Sequence, residues 1–180
     1  AGLMMNCSRK NMERMEAFVE DFSYQNQQQF ISDSPWDHDK LFKQIACDVD
    51  QVLGGPNSVL LIDESGFEKK GKMSVGVGRQ WNGRLGKVDN SQVGVFAALS
   101  NGQTASLLST RLYLPESWTD DPERCERAKI PEAKRVYHTK IELAWEMIEE
   151  MLANEVRFGW VAFDALYGNS PWLLRKVETA

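Results

Sequence analysis

At 180 residues the chain has room for one domain of ordinary size, or a small helical unit plus part of a larger one. It is 42% hydrophobic and 26% charged, which excludes a disordered tail or a fibrous repeat. Lys and Arg total 21 against 26 Asp and Glu, a net charge of −5, so the overall charge does not announce a nucleic-acid binder, although an average can hide a local patch.

Residues 1–56 read as a helical N-terminal region, and residues 57–180 as a separate α/β unit. Met12, Met15, Phe18, Val19 and Phe22 recur at spacings of three and four, which makes one apolar helix face. Ser34-Pro35-Trp36-Asp37 supplies a helix start, with Ser34 as cap, Pro35 at the first position, and Asp37 and Asp39 in the first turn. The helix predicted there turns Leu41, Phe42, Ile45, Val49 and Val52 inward and stops at Gly54-Gly55-Pro56. Val59-Leu60-Leu61-Ile62 then has the continuous apolar pattern of a strand buried on both faces, ending at Asp63. Residues 73–78 alternate like a strand, and residues 92–99 do so more strongly. Asn101-Gly102 is a hairpin turn that hands over to a strand at 105–114. Residues 115–137 read as a long loop or short-helix insertion. Thr139 caps a helix whose apolar face is Ile141, Leu143, Ala144, Met147, Ile148, Met151 and Leu152. A last short strand, Trp160-Val161-Ala162-Phe163, ends at Asp164, and Ser170-Pro171 opens one more helix. With 105–114 counted as the third strand, running back along the second, the order after the helices is β-β-β-α-β-α.

No apolar run approaches the ~20 residues of a membrane span, and no basic-then-apolar leader opens the chain. Cys7, Cys47 and Cys125 lack metal-site spacing and read as reduced thiols of a cytosolic protein. The chain opens on Ala1-Gly2 without an initiator methionine and stops straight after an apparent helix, as expected of a piece of something longer.

Asp63 and Asp164 occupy matching places, each after a four-residue apolar strand and before a glycine-containing turn. A helical crossover makes the last strand parallel to the one it joins. If that neighbour is the first strand, both carboxylates emerge side by side. Such a pair repels itself and becomes favourable around a divalent cation, with hard oxygen ligands favouring magnesium or manganese. A single Asp after a strand more often caps a turn. Between them, residues 68–88 set Lys69, Lys70, Lys72, Arg79, Arg84 and Lys87 against Glu68 alone, a local charge of +5 with five glycines and Trp81 interleaved. That composition suits a phosphate backbone, and equally a solvated hairpin. The tryptophans and phenylalanines read mostly as core, and His38 and His138 have no ligand partner at metal spacing.

Three runs carry a resemblance: residues 61–71 (Leu-Ile-Asp-Glu-Ser-Gly-Phe-Glu-Lys-Lys-Gly), 74–80 and 83–95. With Arg111-Leu112-Tyr113-Leu114-Pro115, Asp121-Pro122-Glu123-Arg124 and Gly159-Trp160-Val161-Ala162-Phe163-Asp164, they resemble the DDE transposases of bacterial insertion sequences, in the DDE superfamily endonuclease branch. Arg9-Lys10-Asn11-Met12-Glu13 and Ser34-Pro35-Trp36-Asp37 are similar to the helical region preceding the catalytic domain in those enzymes. The resemblance implies an α/β fold in which the helical N-terminal region precedes an incomplete ribonuclease H-like mixed sheet, with residues 57–180 as the first part of the catalytic domain. It puts the first two catalytic and metal-binding carboxylates on Asp63 and Asp164. The family's third, a Glu on a later helix, has no counterpart assigned here.

The implied activity is magnesium- or manganese-dependent phosphodiester cleavage and strand transfer in DNA transposition. The implied partners are transposon ends and target DNA, contacted by Lys69, Lys70, Lys72, Arg79, Arg84 and Lys87. A homo-oligomer is compatible with this reading; a membrane is not. The implied setting is the bacterial cytoplasm, beside the nucleoid. Without the third carboxylate the chain is expected to be inactive. The alternative is a non-catalytic module that binds DNA or a full-length transposase.

Overall fold

The computed structural model describes residues 11–20, 23–35 and 37–180, and the chain divides by its contacts into residues 1–38 and 39–180. In the first unit, α1 (Met12–Glu16) is capped by Asn11, whose side chain accepts the Arg14 N–H, and buries Met15. The helix is shorter than the apolar spacing suggests: Phe18 lies outside it and is exposed. Phe22 and Trp36 lie outside the described residues. α2 (Tyr24–Asp33) starts at a Ser23 cap and ends at Ser34. Ser34 therefore closes one helix instead of opening the next.

The second unit opens at the second residue of α3 (His38–Leu53), which buries Ala46 and Leu53 and packs Val49 against them. Leu41 and Val52, expected inward, are exposed. The true inward stripe, Val49 with Ala46 and Leu53, runs at steps of three and four, and Leu41 and Val52 fall off it. The C-terminal end of α3 is tied to the last strand's approach. Asp50 accepts the Arg157 N–H at 2.7 Å and pairs with its guanidinium at 3.0 Å. Gly159 must be glycine there, because a Cβ would meet the Pro56 carbonyl oxygen.

Five strands follow the chain: β1 (Val59–Glu68), β2 (Gly78–Asn82), β3 (Lys87–Ser100), β4 (Ala105–Leu112) and, after the helices, β5 (Trp160–Phe163). They form one mixed sheet. β1 lies between β3, antiparallel, and β5, parallel; β2 and β4 follow one another along the far edge of β3. The hairpin at Asn101-Gly102 forms as expected, with Gly102 at φ 87°. Between β4 and β5 come α4 (Glu116–Thr119), α5 (Pro122–Arg127), a 3-10 turn, and α6 (Lys140–Ala153). Thr139 and Glu142 close a reciprocal capping box at the start of α6. After β5, Asp164 caps α7 (Ala165–Gly168) and Ser170 caps α8 (Pro171–Thr179).

Four expectations about strands are corrected. Four strands, β1 to β4, precede the helices where three were expected, because residues 78–82 add a short strand to the edge of β3. β1 runs on through Asp63 to Glu68, because its whole length pairs with β3 from Ser100 to Ser91. It is not buried on both faces: Leu60 and Ile62 are inside, whereas Leu61 is 36% exposed. Residues 73–77 do not form a strand, since Gly76 sits at φ 75° and Val77 closes a turn onto the Ser74 carbonyl.

The main core lies on one face of the sheet. Leu60, Ile62, Val95, Ala97, Leu99 and Leu108 meet Leu143, Met147, Ile148 and Met151 of α6, with Tyr167 and Leu173. The other face is open, and register places Leu61, Phe67, Leu107, Leu112 and Trp160 on it, all exposed. A second, smaller core joins Val77, Leu114, Trp118, Cys125 and Ile130, so the 115–137 insertion is a folded cap with its own interior. Among the described residues no helix is long and apolar enough to cross a membrane, and Cys47 and Cys125 are free.

Candidate functional site

The parallel pairing of β1 with β5 ends at Ile62 opposite Phe163. The next residue on each strand is an aspartate, so Asp63 and Asp164 stand beside one another on strands ~4.8 Å apart. Asp63 belongs to the interior of β1, opposite Phe96 of β3. Its Oδ1 accepts the Glu64 N–H at 2.8 Å. Asp164 ends β5, and its Oδ1 accepts the Leu166 N–H at 2.9 Å as the cap of α7. Both side chains are exposed, and each local bond occupies one oxygen.

Glu64, one residue along, is held by other partners. Its Oε2 accepts the Tyr167 hydroxyl at 2.7 Å, and its Oε1 pairs with the Lys140 ammonium at 2.9 Å. This ties β1 to the start of α6 and to α7. With both oxygens engaged, Glu64 does not complete a cluster with the two aspartates, and among the described residues no group of three His, Cys, Asp or Glu side chains is placed to hold a metal ion. Sequence patterning missed this triplet. The available signal was the pair of acids at 63–64 and a tyrosine three residues after Asp164, one helical turn beyond the cap.

Tyr167 is fully buried, and its hydroxyl is pushed far above the usual tyrosine range, by burial first, then by the bond to Glu64 and the charges of Glu64, Asp63 and Asp164. The folded state keeps this proton where the unfolded chain loses it. Stability is therefore present in full below about pH 10 and declines as pH rises beyond it. Tyr167→Phe should cost about 1.5–3 kcal/mol at neutral pH, the worth of a bond to a charged acceptor. It should also flatten the alkaline decline by about 1.4 kcal/mol per pH unit. Urea unfolding across the alkaline range compares the two proteins; parallel pH profiles would assign that titration elsewhere.

The six basic residues do not gather at the aspartates. Lys69, Lys70 and Lys72 sit on the loop after β1, Arg79 on β2, and Arg84 and Lys87 at the β2–β3 turn. From Asp63 to Lys69 the strand travels six residues, about 20 Å. All but Lys69 are exposed, and Lys69 is half-buried. Lys87 is partly spent on Asp89 at 2.7 Å, a hydrogen bond that raises the lysine's pKa and lowers the aspartate's. Trp81, 55% exposed, shares the open sheet face with Arg79.

The site thus sets two acids on neighbouring parallel strands and a cationic loop at the far end of β1. The chain belongs to the DDE superfamily endonuclease family, which matches residues 1–179. Over 170 residues it is 34% identical to the probable transposase for insertion sequence element IS701 of Microchaete diplosiphon, a match covering 94% of this chain and 41% of that protein. The chain thus spans about two-fifths of the length of this relative. No solved structure matches.

Proposed function

We propose that this chain is the leading part of the DNA-cleaving domain of a transposase, with Asp63 and Asp164 as two of its metal-binding carboxylates. The observation that carries this reading is the β1–β5 register, which sets the two aspartates side by side. Strand order β4-β3-β1-β5 with helices packed on one face is compatible with an incomplete ribonuclease H-like sheet. The donor set fits a hard cation: two exposed carboxylates, oxygen only, leaving most positions to water, as magnesium prefers. When bound, magnesium or manganese supplies Lewis-acid activation of a water or a 3′-hydroxyl for attack on a phosphodiester. Asp63 and Asp164 would hold the ion, while Glu64, clamped by Tyr167 and Lys140, keeps β1 and α7 in fixed relation. Lys69, Lys70, Lys72, Arg79, Arg84 and Lys87 would hold the DNA backbone about 20 Å away, the length of about six base pairs. Transposon ends and target DNA are the substrates on this reading. Its setting is the bacterial cytoplasm and nucleoid, and self-association belongs to it as well.

The second reading, a module that binds DNA or a full-length transposase without cutting, is favoured by the lack of a three-ligand cluster among the described residues. The first reading, and the DNA-binding form of the second, need the basic loop. Lys69, Lys70 and Lys72 changed together to Gln should weaken binding to duplexes of any sequence and reduce the salt slope by about 0.9 per lost contact. A filter-binding or fluorescence titration at several salt concentrations measures this, and an unchanged slope would mean that these lysines are merely solvated.

A further inference from the structure

Residues 69–77 connect β1 to β2 without regular structure, yet side chains from elsewhere hold the carbonyls of Lys69, Gly71, Lys72, Val75, Gly76 and Val77. Asn90 Nδ2 donates to the carbonyls of Lys69 and Gly71, at 2.5 and 2.9 Å. The Arg124 guanidinium donates to the Lys72 carbonyl at 3.0 Å, and Gln92 Nε2 to that of Val75 at 2.6 Å. Gln80 reaches the Gly76 carbonyl at 3.2 Å, and the Trp118 indole N–H reaches Val77 at 2.8 Å. Arg124 is itself fixed, its guanidinium 3.7 Å over the Trp118 ring. Asn90 and Gln92 stand on β3 and face the open side of the sheet, whereas Trp118 and Arg124 come from the insertion after β4.

Such anchoring has an electrostatic consequence. The negative ends of the loop's peptide dipoles are turned toward protein donors, and the loop carries three lysines and no acid. An anion that approaches it meets ammonium groups in place of carbonyl oxygens. Because the backbone is already ordered, binding does not have to order it, which removes an entropic cost.

We propose that Asn90 and Arg124 are positioning residues for a phosphate-binding loop, acting through the backbone of residues 69–77 and not by touching nucleic acid. The inference rests on the reading that Lys69, Lys70 and Lys72 meet DNA phosphates, and deepens it by assigning what presents them.

The test uses substitutions that leave net charge unchanged. Asn90→Ala removes the two amide donations, and Arg124→Lys keeps the cation while losing the fork that spans to the loop. Each 1–180 variant is titrated with a duplex oligonucleotide of arbitrary sequence over a range of salt, beside the wild type and the triple Lys→Gln variant, with thermal melting to register folding. Asn90→Ala and Arg124→Lys are each expected to weaken binding about threefold to tenfold and to lower the salt slope by about 0.9 or more, although no charge is lost. If the triple variant lowers the slope while both neutral variants keep the wild-type slope, the inference is overturned and the DNA reading stands. If the triple variant itself keeps the wild-type slope, the DNA reading falls and the inference with it. Should Asn90→Ala fail to fold, Arg124→Lys decides between the same outcomes.

Discussion

Asp63→Asn and Asp164→Asn should each lower the manganese affinity of the 1–180 chain by at least about tenfold, because each removes one of the two anionic oxygen donors of the proposed site. Water-proton relaxation reads this directly, since bound manganese changes the relaxation rate in proportion to occupancy. Equal affinity in the wild type and both variants would mean that the aspartates serve only as a strand residue and a helix cap. The same proteins, incubated with supercoiled plasmid and manganese, should nick no faster than one another. Two-metal phosphoryl chemistry needs both ions at fixed separation, and among the described residues no third carboxylate joins the pair. Losing that preorganisation should cost on the order of a thousandfold or more in rate. Nicking by the wild type that both substitutions eliminate would reveal a third ligand within the chain. Glu178 of α8 would then be the first to replace, since both oxygens of Glu64 are already engaged.

Trp118→Ala should be among the most destabilising single changes, at about 3–5 kcal/mol. The indole is 1% exposed and is the largest member of the second core. Its removal leaves a cavity among Val77, Leu114, Cys125 and Ile130, strips the Val77 carbonyl of its indole donor, and takes away the surface on which Arg124 stacks. Urea denaturation gives the loss, and limited proteolysis locates it, with cleavage expected first in residues 115–135. Trp118→Phe, which keeps a ring but not the N–H, should fall between at about 1–3 kcal/mol. Matching denaturation midpoints for wild type and Trp118→Ala would show that the insertion is loosely attached and that its interior contributes little.

Much of the local structure was legible in the residues. Thr139 before an apolar 3.6-residue period, with Glu142 three places on, spells a capping box, and α6 starts there. Asn101-Gly102 between two β-patterned runs spells a tight hairpin, and β3 and β4 are joined by it. The two aspartates stand out in the sequence because an acid that follows an apolar run is conspicuous, and because the surrounding residues resemble a known family. Local pattern failed where a distant partner decided the outcome. The alternation of Val75 and Val77 reads as a strand, yet Val77 plugs the second core, and Gly76, whose Cβ would lie 2.8 Å from the Tyr113 carbonyl, turns the chain instead. Residues 64–66 read as a turn, but β3 offers them an unbroken row of partners, and pairing overrides the Gly66 signal.

The sequence by itself therefore determined the start of α6 at Thr139, the hairpin at Asn101-Gly102, and the placing of Asp63 and Asp164 after apolar runs, because each is written in neighbours within a few residues. Only the tertiary structure decided that Asp63 and Asp164 are adjacent, since strand register is a property of two segments a hundred residues apart. It also decided that Glu64 is occupied by Tyr167 and Lys140. The basic loop is held from β3 and from the insertion for the same reason: a side chain's reach to a distant backbone depends on packing, and no spacing within the loop encodes it.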